Sequence, residues 1–114
     1  MSIVIAGSIR VPSDKRDHLL REGQRFTIES RAEPGCIHYT WSADPADPEL
    51  VHVFEEWADE ASLSNHFSGD AYLGTLRFFA ATCEVDADVS KYRVDLKEPV
   101  YDTKGKPRAD FFTA

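Results

Sequence analysis

The sequence predicts an α+β domain, one antiparallel sheet with its helices on a single face. Three observations predict it. Residues 36–42 and 50–57 alternate in the manner of strands and are joined by ADPADPE at 43–49. Residues 14–32 and 59–83 carry apolar side chains at three-to-four spacing, the period of a helix. Further strand-like runs stand at 2–11 and 84–96, so the order is β-α-β-β-α-β. That order is the split, ferredoxin-like arrangement.

Each element has a local cause. SIVIAGSIRV at 2–11 is rich in β-branched residues. Ser13 is a suitable N-cap and Asp14 favours the positive end of a helix dipole. The helix is expected to run to about Ala32, with Leu19, Leu20, Gly23, Phe26, Thr27 and Ser30 on one side, until Pro34-Gly35 ends it. In the first strand of the hairpin, Ile37, Tyr39 and Trp41 share one face, opposite Cys36, His38, Thr40 and Ser42. In the second, Val51, Val53, Glu55 and Trp57 share a face, opposite Leu50, His52, Phe54 and Glu56. Asp59 can cap a short helix through Phe67, Ser68-Gly69-Asp70 breaks it, and Tyr72, Leu76, Phe79 and Cys83 form the stripe of the next. Residues 1–96 are read as the domain. Residues 97–114, with two prolines, a glycine and scattered aromatics, are read as an extension that is either wrapped on a partner or disordered.

Composition excludes several function classes. The net charge of −7, with no basic cluster, speaks against nucleic acid or an anionic membrane as partner. The apolar N-terminus is short and has no basic flank, no run is long enough to span a membrane, and a cytoplasmic location follows as the expectation. Cys36 and Cys83 form no CxxC, and reduced thiols are the simpler reading, with a disulfide left open. His38 and His52 share a face without a metal-binding spacing, and the dinucleotide, nucleotide and serine-hydrolase motifs do not occur. No metal and no cofactor are therefore expected.

The informative misfit is Glu55, one carboxylate in an apolar row beside Tyr39, Val53 and Trp57. A carboxylate in such a layer is pushed towards its neutral form unless a partner holds its charge. His66, on the helix expected to cover that face, is the candidate partner, since an imidazole ordinarily titrates near ~6.5. Glu55 would orient His66, and His66 would take a phenolic proton. The competing reading makes both structural, hydrogen-bonded within the fold. Tyr39, Trp41, Trp57, Phe67, Tyr72, Phe78 and Phe79 could line an aromatic pocket for a planar substrate, and the same spacing would equally serve as plain core.

EPGCIHYTW at 33–41 and VFEEWADEASLSNHF at 53–67 resemble the antibiotic biosynthesis monooxygenase family of dimeric α+β barrel proteins, which includes quinol and anthrone oxygenases. The resemblance rests on the acidic-Pro-Gly-Cys lead-in, on Glu55 and Trp57, and on Leu63 with His66. It implies a homodimer that oxidises electron-rich phenols or quinols with O2, without metal or flavin. Many relatives carry a second histidine about five residues after the first, where this chain has Ala71 beside Tyr72. The expected function is thus a cofactor-independent monooxygenase acting on a hydroquinone-like or polycyclic phenol. The alternatives are a non-catalytic aromatic-binding module and an oxygen-independent isomerase or cyclase.

Overall fold

A computed structural model describes residues 1–113. Four strands, β1 (Ser2–Arg10), β2 (Cys36–Ala43), β3 (Leu50–Trp57) and β4 (Asp86–Val94), form one antiparallel sheet in the order β2-β3-β1-β4. Four helices, α1 (Arg16–Glu22), α2 (Gln24–Arg31), α3 (Glu60–Phe67) and α4 (Asp70–Thr82), complete the α+β, ferredoxin-like fold. The core lies on the sheet face that the helices cover. Ile3, Ile5 and Ile9 of β1 and Val51, Val53 and Trp57 of β3 meet Leu19 of α1 and Leu63 of α3 there. Alternation of the strand residues put them on that side together.

The segment read as one helix from residue 14 is two. It begins at Arg16 without a side-chain cap, so Ser13 does not cap it, and it breaks at Gly23. A methyl group at Gly23 would stand 2.7 Å from the Leu19 carbonyl oxygen, so the junction between the two helices suits glycine. Asp59 does cap α3, its carboxylate accepting from the Ser62 backbone N–H at 2.8 Å.

The first strand of the hairpin departs from simple alternation. A bulge between Cys36 and His38 lets Cys36 pair with Trp57 while His38 pairs with Glu56. Cys36 therefore packs against the core, not on the face of His38 and Thr40, and Ile37 stands exposed instead of joining Tyr39 and Trp41. Just before the bulge, Gly35 adopts a left-handed φ of 80°, and a Cβ there would overlap the Ser62 side chain. Its carbonyl oxygen accepts from Ala58 N–H at 2.8 Å. Gly35→Ala is expected to cost about 1–3 kcal/mol, the usual range for forced backbone strain, and urea unfolding measures it.

Two cations organise the hairpin loop, and Arg10 Nη1 meets Asp47 Oδ2 at 3.0 Å and Glu49 Oε1 at 3.5 Å. Arg16 Nη1 donates to the carbonyl oxygens of Asp44, Asp47 and Leu50, so α1 holds the 43–49 connection in place. Asp44 also accepts from His52 Nε2 at 2.7 Å and from the N–H groups of Ala46 and Asp47, and these bonds lower its carboxyl to about 2. On the outer sheet face Phe54 and Tyr92 are exposed, while Glu56 is buried and meets Lys97 Nζ at 3.5 Å. Beyond Lys97 the chain folds back on itself. Tyr101 bridges Pro107, and Glu98 accepts from the N–H groups of Phe112 and Thr113. No helix among the described residues is long and apolar enough to cross a membrane.

Candidate functional site

Period-two alternation on β3 sets Glu55 and Trp57 side by side on the covered face, and β2 places Tyr39 directly opposite Glu55. Only 5 % of Glu55 is exposed. Trp57 Nε1 donates to its Oε1 at 3.0 Å. Burial pushes the Glu55 carboxyl above its ordinary range, opposed by the Trp57 N–H, by the charge of His66 and by the nearby Trp41 N–H. Tyr39 is driven the same way, first by burial and then by the negative charge of Glu55, so its phenol stays protonated. The Ser30 hydroxyl and the Trp41 indole approach these two groups, yet neither closes a well-formed hydrogen bond. Among the described residues, Ser30 Oγ and Trp41 Nε1 are buried without a hydrogen-bond partner.

His66 is 1 % exposed, in the last turn of α3. Four aromatic rings enclose it. Trp57 lies 4.5 Å away between centroids, Tyr72 5.5 Å, Tyr39 5.7 Å and Phe67 5.8 Å. Its Nδ1 donates to Glu33 Oε1 at 2.7 Å, a carboxylate being able only to accept. The expected direct pairing of His66 with Glu55 is thus replaced. Both side chains do lie on the same side of the sheet, but among the described residues His66 is hydrogen-bonded to Glu33 and not to Glu55. Glu33 sits in the turn before β2, and its one sequence signal was the acidic position ahead of Pro34-Gly35. Glu33→Ala would leave a buried ring nitrogen unsatisfied, with an expected loss of about 1–3 kcal/mol and a lower melting temperature.

A cavity of about 670 Å³ opens between α4 and the β1–β4 half of the sheet. Ile5, Val53 and Glu55 form its floor, and Trp41, Phe67, Tyr72 and Phe79 stand around it. Trp41 and Phe79 meet edge to face with centroids 5.3 Å apart and separate it from a smaller hollow of about 330 Å³ bounded by α1, α2 and β2. The seven aromatic candidates therefore divide. Trp41, Phe67, Tyr72 and Phe79 line the larger cavity. Tyr39 and Trp57 are buried beside Glu55, with Tyr39 reaching the smaller hollow. Phe78 faces Phe26 and His18 between the helices, because it precedes Phe79 by one residue and so points about 100° away from it. His66 is likewise not on the wall of the larger cavity; Glu55 is. Among the described residues no three His, Cys, Asp or Glu side chains gather as a metal-holding cluster.

In chemical capability, this is an apolar chamber whose wall includes one buried carboxylate, Glu55, and the side chains of Trp41 and Tyr72. Such a wall can take a proton from an aromatic hydroxyl and donate hydrogen bonds to the oxygen left behind.

Comparison with known proteins agrees with the architecture. A Methanosarcina mazei conserved protein superposes with a TM-score of 0.73 at 24% identity, over 82% of this chain and 92% of its own. The protein PA3566 of Pseudomonas aeruginosa gives 0.67 at 29% identity, over 82% and 93%. A Deinococcus radiodurans protein, named as a candidate antibiotic biosynthesis monooxygenase, gives 0.75 at 15% identity, over 90% and 100%. An uncharacterized Synechocystis protein is 40% identical over 65 residues, 57% of this chain; the match spans 44% of that relative, less than half its length. Residues 2–77 match the family model described as antibiotic biosynthesis monooxygenase. With two thirds of its length inside that match and the fold in agreement, the chain belongs to the antibiotic biosynthesis monooxygenase family.

Proposed function

We propose that this chain is a cofactor-independent monooxygenase that oxidises a hydroquinone-like or polycyclic phenol with O2, and that Glu55 takes the substrate's proton. The observation that carries this reading is the buried carboxylate on the wall of a 670 Å³ apolar cavity. Its raised pKa narrows the gap to a phenol, ordinarily near ~10, and makes it a better base than a solvated glutamate. The resulting phenolate gives one electron to O2, the carbon radical and superoxide combine, Glu55 returns its proton to the peroxide anion, and loss of water with the hydrogen of that same carbon leaves a carbonyl. Tyr72, on the cavity wall, offers its hydroxyl to the substrate oxygen as charge builds there. His66 serves behind the wall as a positioning residue, favouring the ionised carboxylate after proton loss.

A second copy of the chain covers the outer sheet face in this reading, where Ile37, Phe54 and Tyr92 are exposed. The extension from 97 onward, beyond the 1–96 domain, then wraps onto that second copy. Two free thiols suit a cytoplasmic setting.

Oxygen uptake with reduced naphthoquinones and anthrones tests the proposal. Protein-dependent uptake with a carbonyl product is expected. Product without uptake would make the protein an isomerase or cyclase, and saturable binding with neither would make it a binding module.

A further inference from the structure

The cavity wall carries two charges of opposite sign, and their placement is set by the strand register. Glu55 on β3 and Lys91 on β4 both pair with Ile5 of β1. The three residues therefore form one row across the sheet, with side chains on the covered face. Two interstrand steps separate the backbones of Glu55 and Lys91 by roughly 9.5 Å. Glu55 is deep and Lys91 is exposed at the mouth, and every other lining residue among those described is uncharged.

The charges of β4 are sorted by face as well. Lys91 and Arg93, paired with Ile5 and Ile3, point to the cavity side; Asp86 and Asp88, paired with Arg10 and Ser8, point to the other. Neither Lys91 nor Arg93 makes an ion pair among the described residues. Lysines on an edge strand commonly guard it against unwanted pairing. That role does not sort cations from acids, and in a chain of net charge −7 it would not leave the cations of one face unmatched beside an apolar cavity.

We propose that the substrate is an aromatic acid: its carboxylate binds Lys91 at the mouth while its phenolic end lies against Glu55. A backbone separation of roughly 9.5 Å suits a substrate of two or three fused rings. The inference rests on the reading of this cavity as the oxygenase site, and it adds Lys91 as a specificity-determining residue. An uncompensated ammonium at the mouth attracts the anion, and the apolar walls accept the rings.

Calorimetric titration of the full chain with 6-hydroxy-2-naphthoate and with 6-hydroxy-2-naphthamide tests it, because the two differ only in the charge placed opposite the hydroxyl. The parent is expected to bind the carboxylate roughly tenfold more tightly, less so as salt is raised. The preference should vanish in Lys91→Met and reverse in Lys91→Glu, both changes falling on an exposed side chain that the fold does not need. Equal affinity for the two compounds in the parent, or an unchanged preference in Lys91→Met, overturns the assignment of Lys91 and leaves the cavity reading standing. Binding of neither compound overturns both.

Discussion

Glu55→Gln is expected to lower turnover by ~10²–10⁴, the usual contribution of a general base, while leaving the protein no less stable at neutral pH. The two effects come from one cause. Burial raises the Glu55 carboxyl above its unfolded value, so the folded protein binds that proton more tightly than the unfolded chain does. The stability it contributes is complete below the unfolded carboxylate range, near ~4.3, and is lost as pH rises through the raised folded value. Glutamine keeps an oxygen for the Trp57 N–H but has no charged form to desolvate. Melting curves across pH should therefore fall less steeply for Glu55→Gln than for the parent on the alkaline side of that range. Turnover equal to the parent's would remove Glu55 from the chemistry, and parallel melting curves would show that its burial carries no penalty.

Trp57→Ala should have the largest effect on stability. Trp57 is fully buried, lies tilted against His66 and, among the described residues, supplies the side-chain hydrogen bond to Glu55. Removing a buried indole costs about 3–5 kcal/mol, a large share of the 5–15 kcal/mol typical of a domain. Urea unfolding would show it as an earlier midpoint, and a loss below ~1 kcal/mol would mean that the site collapses around the gap. Trp57→Phe separates packing from chemistry. It retains a ring yet frees Glu55 Oε1, so the pH at which activity appears should move upward, since the lost N–H was favouring the ionised form.

Strands, helices and the oddity of Glu55 were legible because alternation and helical spacing act within a few residues. The cap at Asp59 was legible for the same reason. Gly23 was not read as a break, since a glycine within a helical stripe costs only about 1 kcal/mol and the clash with the Leu19 carbonyl appears only in three dimensions. The bulge at Cys36 has no signature in its own strand: it is a property of pairing with β3. Glu33 and His66 are 33 residues apart and meet across a turn and a helix, beyond any local pattern. Sequence placed an aromatic pocket between helices and sheet, and it could not show that the helices leave β4 uncovered and so open the cavity on that side.

The grip of Arg16 on the carbonyls of Asp44, Asp47 and Leu50 has a dynamic consequence. A loop that would ordinarily fray by itself is fastened by a helix that has no side-chain cap of its own. Those bonds couple the opening of the two segments. Deuterium uptake at the backbone amides of both segments should accordingly rise in step when this guanidinium is removed.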